Sequence, residues 1–324
     1  MKRILKIIFR TGVLLFCVIY AGLIVYAFIP IKSISSSSLQ SKDDQFFLHE
    51  DHLIRYQSIT KIDLNKPNLI LIHGFGNNLG TWQTIAPRLE EFFNVYALDM
   101  IGFGLSEKPE KYNYSNASQA KTISSFAKAL KIDSFSVGGH SLGGAVAMHT
   151  AINDKDVEGL ILFNPGIINT GVPTFSKYLN LIFPLSRITA KQFGSRDFRE
   201  GFLKQSFHNP LIVDESVMDR VMLGSLTSDY ISGMSGMLSK FYDANDSQLM
   251  KKVVVPTLII FGIEDKNKSM EEAIQLKNGF INSKLEIIQN AGHYVHEESP
   301  ETVSKTIIES RNFLTSKNER NSKG

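Results

Sequence analysis

The chain has 324 residues, 43% of them hydrophobic and 21% charged, enough to bury one large core or two modest ones. Its formal charge of +3 is unevenly placed: Lys2, Arg3, Lys6 and Arg10 precede any acid, leaving 31 basic residues against 32 acids beyond them. That balance excludes a basic nucleic-acid-binding surface, and the single cysteine, Cys17, excludes disulfides, thiol chemistry and a cysteine metal site from the globular part.

Residues 11–29 are apolar apart from Thr11, two tyrosines and two glycines. Nineteen residues at a helical rise of 1.5 Å span about 28 Å, close to the hydrocarbon thickness of a bilayer. A run apolar all round favours a membrane span over a buried helix of a soluble core. Basic residues crowd the N-terminal flank, and only Lys32 follows closely on the other side. The asymmetry predicts a single-pass anchor over 1–30, with a cytoplasmic N-terminus and an extracytoplasmic body. Val25-Tyr26-Ala27 carries small residues at cleavage-site spacing, so secretion after signal cleavage is the alternative; the length of the run favours an uncleaved anchor. The bulky Phe16 before Cys17 argues against a lipoprotein. Residues 31–45, with Ser35, Ser36, Ser37 and Ser38 in a row, read as a flexible Ser-rich linker.

The domain opens with two β-like stretches at 46–49 and 53–59, separated by Glu50-Asp51-His52, which read as a hairpin. Solid apolar runs follow at 68–73, 94–99, 135–138, 159–163, 257–261 and 285–288. Helical patterns lie between most of them, notably at 117–130, 142–153 and 271–278. Alternating helices and fully apolar strands predict an α/β fold, a mostly parallel sheet covered on both faces. In such sheets the site lies beyond the carboxyl ends of the strands. Residues 46–166 and 251–315 form this expected core. Residues 167–250 break the alternation with helical stretches rich in Phe and Met, among them Phe175, Phe183, Phe193, Phe198, Phe202, Phe207, Met218, Met222, Met234 and Met237. They read as an inserted helical lid, most of whose apolar side chains form its own core while a minority line a pocket. Residues 316–324 read as a flexible tail.

The sequence Gly139-His140-Ser141-Leu142-Gly143 sits where a predicted strand breaks directly into a predicted helix. Such a turn lifts a serine hydroxyl off the sheet edge, and glycines without a Cβ give the neighbouring chain room to pass. A serine needs a base to take its proton and a third group to orient that base. His293 and Asp265 each follow a predicted strand end, with His296 and Glu264 as near competitors. The order Ser141, Asp265, His293 is the one expected when all three project from one edge of a parallel sheet. The backbone N–H of Leu142 is one candidate oxyanion donor, and that of Phe75, in His73-Gly74-Phe75-Gly76, is the second. His73 reads as a residue that ties this loop down. No metal-ligand pattern is present among the histidines.

These five ordered motifs, with 99–106 (DMIGFGLS) and Gly262-Ile263-Glu264-Asp265 among them, resemble the α/β-hydrolase fold superfamily. More narrowly, they are similar to its lid-bearing serine members, such as monoacylglycerol lipases, carboxylesterases and meta-cleavage C–C hydrolases. The resemblance covers 46–314. It implies ester hydrolysis through Ser141, His293 and Asp265 with no cofactor, on an apolar or lipid-like small molecule. Acyl transfer and C–C bond hydrolysis are the alternatives the same triad allows. It also implies that His293 and Asp265 are preferred to His296 and Glu264, and that 99–106 shapes the pocket without a catalytic role. Epoxide hydrolases and haloalkane dehalogenases of this fold carry aspartate where Ser141 stands, which argues against both activities.

Overall fold

The computed structural model describes residues 1–168, 178–240 and 245–315. The expected Phe175 and the tail 316–324 lie outside the described residues. Eight strands, β1 (Gln45–His49), β2 (His52–Ser58), β3 (Asn68–Ile72), β4 (Asn94–Leu98), β5 (Phe135–His140), β6 (Val157–Phe163), β7 (Thr257–Gly262) and β8 (Ser283–Ile288), form one sheet in the order β1-β2-β4-β3-β5-β6-β7-β8. The β1–β2 hairpin joins β4 antiparallel, and every other pairing is parallel.

The apolar runs are solid because alternate residues feed two cores. Ile70, Ile72, Val137, Leu160, Leu162, Ile259 and Phe261 pack on one face, with Phe126 of α2 (Asn116–Ala129) and Val146 of α3 (Leu142–Asn153). Leu69, Leu71, Ile161, Phe163, Leu258 and Ile260 face the other way, onto Trp82, Leu89, Val303, Ile307 and Leu314. Covering both faces removes the polar alternation of a half-exposed strand. β5 runs two residues further than its apolar run, through Gly139 and His140, because β3 and β6 hold it from both sides as far as the pairs Ile72–Gly139 and His140–Phe163.

Between β6 and β7 lie helices α4 (Leu185–Gly194), α5 (Arg196–Ser206), α6 (Glu215–Met222) and α7 (Tyr230–Lys240). Phe207, Met218 and Met222 form a small core of this segment with Leu203 and Val221, whereas Met234 and Met237 join the core beneath the sheet. Phe183 and Phe202, expected inside, are exposed. Asn78 Nδ2 donates to the Arg220 carbonyl (2.6 Å), and Lys108 N–H to Asp229 Oδ2 (3.2 Å). Such bonds strap the segment to the loops after β3 and β4, on the carboxyl side of the sheet.

The N-terminal helix α1 (Lys2–Phe28) is longer than its apolar stretch, since Lys2, Arg3, Leu5, Lys6 and Arg10 at its start are also good helix formers. It is long and apolar enough to cross a membrane. Residues 31–45, expected as a free tether, carry bonds to the body. Ile34 N–H donates to the Leu226 carbonyl (2.8 Å), and Asp44 Oδ1 accepts from Arg55 Nε and Gln57 Nε2, both at 2.7 Å. The linker is thus bonded to nearby β2 through the Asp44 side chain and to a distant loop through the backbone of Ile34.

Candidate active site

β5 ends at His140 and α3 begins at Leu142, so Ser141 alone makes the turn. Its φ of 50° and ψ of −117° lie where L side chains are strained by about 1–3 kcal/mol. Three backbone bonds offset that cost. Ser141 N–H donates to the Phe163 carbonyl (3.1 Å), and its own carbonyl accepts from Gly144 N–H (3.0 Å) and Gly166 N–H (2.7 Å). The flanking glycines are dictated by contact: a Cβ at Gly139 would stand 2.0 Å from the Gly143 carbonyl oxygen, and one at Gly143 would stand 2.3 Å from that of Ile72.

Asp265, in the loop after β7, is buried and fully bonded. Oδ2 accepts from His293 Nδ1 and Asn164 Nδ2, both at 2.7 Å, and Oδ1 accepts from the N–H groups of Asn267 (2.7 Å) and Lys268 (3.1 Å). A carboxylate with all its lone-pair sites engaged is locked in place, and it fixes the proton of His293 on Nδ1. The backbone of His293 is held too. Its N–H donates to the Ser206 carbonyl and its carbonyl accepts from His140 Nε2–H, each at 2.9 Å.

The near competitors are placed elsewhere. Glu264 Oε2 accepts from Ala291 N–H (3.0 Å), bracing the loop that carries His293. His296 is fully buried against the Trp82 ring, 4.5 Å between centroids, and bonds Thr81 Oγ1 at 2.8 Å. Among these four residues, only His293 and Asp265 are paired.

His73 Nε2 accepts from Met100 N–H (3.1 Å), so Nδ1 carries the proton and donates to the Gly74 carbonyl (2.7 Å). A Cβ at Gly74 would meet the His140 ring at 2.7 Å, so the 73–76 loop lies directly against the Ser141 turn. The ring of Phe75, the next residue, packs edge-on between Phe103 and Phe193, both at 5.6 Å. Leu142 is the first residue of α3, where no upstream carbonyl accepts its N–H and the helix dipole is positive. Burial lowers the pKa of His73 and takes those of His140 and His296 well below the ordinary 6.5, so all three are neutral.

Two residues here escaped the sequence reading. Asn164, directly after β6, orients Asp265 through Nδ2 while its Oδ1 accepts from Gly262 N–H at 3.2 Å. Arg199 of α5 donates from Nη1 to the Gly76 carbonyl and to that of Val221 (3.0 Å), from Nε to that of Phe193 (2.7 Å), and from Nη2 to Tyr230 Oη (3.0 Å). A positive φ of 41° at an Asn ending a strand is the one local signal for Asn164, and it is a structural one.

A family model described as "alpha/beta hydrolase fold" matches residues 67–300. The chain is 24% identical over 246 residues to the uncharacterized hydrolase YugF of Bacillus subtilis, covering 75% of this chain and 89% of YugF. It is 26% identical over 283 residues to monoacylglycerol lipase ABHD6 of Homo sapiens, covering 83% and 81%. A meta-cleavage product hydrolase from Pseudomonas fluorescens IP01 superposes with a TM-score of 0.69 at 23% identity, covering 83% of this chain and 97% of that one. A bacterial membrane phospholipase A superposes with a TM-score of 0.66 at 22% identity, covering 98% and 99%, a span that takes in the N-terminal helix.

Proposed function

We propose that this chain, which belongs to the α/β-hydrolase fold family, hydrolyses carboxylic esters of apolar or lipid-like character through Ser141, His293 and Asp265. The observation that carries the reading is the Asp265–His293 hydrogen bond, standing on the same sheet edge as a serine strained onto the head of a helix.

In this mechanism the Ser141 Oγ–H proton passes to His293 Nε2 as Oγ bonds the acyl carbon. The N–H groups of Phe75 and Leu142 hold the resulting oxyanion. The C–O bond to the alcohol then breaks, and the alkoxide leaves with the proton from His293. Water, deprotonated by the same nitrogen, attacks the acyl-enzyme, releasing the acid and returning the proton to Ser141. Asp265 keeps Nδ1–H aimed and stabilises the imidazolium that forms at each step. No step requires a metal or organic cofactor.

Three features support an apolar acyl substrate. Phe75 and Phe193 bring aromatic surface beside the proposed oxyanion hole. The segment between β6 and β7 acts as a lid across the carboxyl ends of the strands. One relative, at 26% identity, is a monoacylglycerol lipase. The reading also places α1 across a membrane as an uncleaved anchor, cytoplasmic at its basic end. Ala27, the residue a signal-peptide cut would follow, is buried against the body, which supports retention.

The test is hydrolysis of p-nitrophenyl esters from acetyl to palmitoyl by the full chain beside Ser141→Ala, with fluorophosphonate labelling. Turnover and labelling that both depend on Ser141, with an optimum at medium or long acyl chains, would support the proposal. Near-wild-type turnover by Ser141→Ala would overturn the mechanism. Labelling without hydrolysis at any chain length would turn the assignment towards acyl transfer or C–C cleavage.

A further inference from the structure

The last turns of α1 are not bare. Tyr20, Leu23, Ile24 and Ala27, spaced as one helical face, are the least exposed residues of the helix, and Ala27 is fully buried. What they meet is α4 and the turn before it. Tyr20 Oη–H donates to the Phe183 carbonyl, the Phe28 and Phe183 rings lie 6.0 Å apart, and the Arg187 guanidinium sits 4.5 Å over the Phe28 ring. Lys191 Nζ, one turn further on, donates to the carbonyls of Tyr26 and Ile29, both at 2.6 Å.

These contacts form a ladder. The carbonyls that end α1 meet Lys191, its last aromatic ring meets Arg187, and Tyr20, eight residues or about 12 Å of helix before Phe28, reaches Phe183. Tyr20 lies inside the apolar run 11–29. A bilayer around that run therefore also surrounds whatever Tyr20 touches. The segment at that level is apolar and outward-facing: Tyr178, Leu179, Leu181, Ile182 and Phe183 are between 44% and 68% exposed. No charged residue lies between Tyr178 and Pro184, and the next two cations, Arg187 and Lys191, meet the end of the run at Tyr26, Phe28 and Ile29, where hydrocarbon would give way to headgroups.

We propose that the segment 178–184 is a second membrane-embedded element, sunk into the leaflet that α1 leaves, with Arg187 and Lys191 at headgroup level. The proposal rests on α1 spanning the bilayer. Its occupant is the lipid itself, because the patch is continuous with a helix surface that is otherwise uncovered. A substrate dissolved in that leaflet then reaches the inserted segment without crossing water.

The native Cys17, exposed near the middle of α1, provides an internal depth reference. The full chain is reconstituted into phosphatidylcholine–phosphatidylglycerol vesicles with a nitroxide on Cys17, or on Leu181→Cys, Ile182→Cys or Leu64→Cys in a Cys17→Ser background. Electron paramagnetic resonance compares collisions with oxygen, which partitions into lipid, and with a water-soluble nickel chelate. The oxygen-to-nickel ratios at 181 and 182 are expected to shift to the Cys17 side and away from that at 64, an exposed site in the loop leading into the amino end of β3. Lipid-like values at Cys17 with aqueous values at 181 and 182 would overturn the proposal and leave the anchor intact. Aqueous values at all positions would overturn the anchor and the proposal together.

Discussion

His140 Nε2–H donates to the backbone carbonyl of His293 at 2.9 Å, tying the residue before the proposed nucleophile to the residue proposed as its base. The bond crosses from the end of β5 to the loop after β8, so it sets the spacing of two elements that share no strand pairing. His140→Phe removes the donor and leaves that buried carbonyl unsatisfied, a cost of about 1–3 kcal/mol. We expect a lower melting temperature and a kcat reduced by about tenfold or more with KM little changed, read by ester kinetics beside calorimetry.

Asp265→Asn replaces an oxygen that accepts hydrogen bonds with an NH2 group that faces donors, because both carboxylate oxygens already accept two each. The amide also favours the wrong tautomer of His293. A fall in kcat on the order of 10³–10⁴ is expected from the loss of tautomer control alone. Asn164→Ala, which takes away one of the four donors, should cost about 1–2 kcal/mol of that organisation and leave clear residual activity. Near-wild-type kcat in Asp265→Asn would show that Asp265 does not act through His293.

Stability should fall on acidification, for a reason located in His73, His140 and His296. Their folded pKa values lie below 6.5 because they are desolvated. Well above 6.5 they are neutral in both states and contribute no pH dependence. As pH falls through 6.5 the unfolded chain takes up protons that the folded chain refuses, which favours unfolding until the folded pKa values are reached. The melting temperature should therefore drop between about pH 7 and about pH 5, and His296→Gln should flatten that slope. An unchanged slope in that variant would place the proton uptake elsewhere.

Arg199 reaches from the inserted segment to the Gly76 carbonyl, beside the proposed oxyanion donor Phe75. Its planar fork serves four partners that a single ammonium cannot reach together. Arg199→Lys is expected to lower kcat several-fold with KM little altered, and to lower the rate of fluorophosphonate labelling as well, because both reactions use the same oxyanion donors. A change confined to melting temperature would reduce Arg199 to a purely structural clasp.

The sheet and the Ser141 turn were legible because their signals are local: an apolar run per strand, and glycines wherever a backbone passes within van der Waals contact. The placement of His293 beside Asp265 followed from both residues closing neighbouring strands, β7 and β8. Asn164 and Arg199 were not legible, since their partners lie 101 and 123 residues away and neither sits in a pattern of its own. The same holds for the linker, where a serine-rich composition speaks for solvation while Ile34 finds its acceptor on Leu226. Composition describes what a segment can do alone; these contacts exist only once the sheet has brought distant loops to one edge.

The contacts at Lys191 and Ile34 have a mechanical result. One grips the end of α1 and the other grips the chain five residues beyond Ile29, so the stretch between them cannot act as a swivel. We expect the two grips together to narrow the range of angles between helix and sheet, and so of the attitude of the body above whatever holds the helix. Lengthening the serine run beyond Ile34 is then expected to change that attitude little, whereas cutting both grips should widen it.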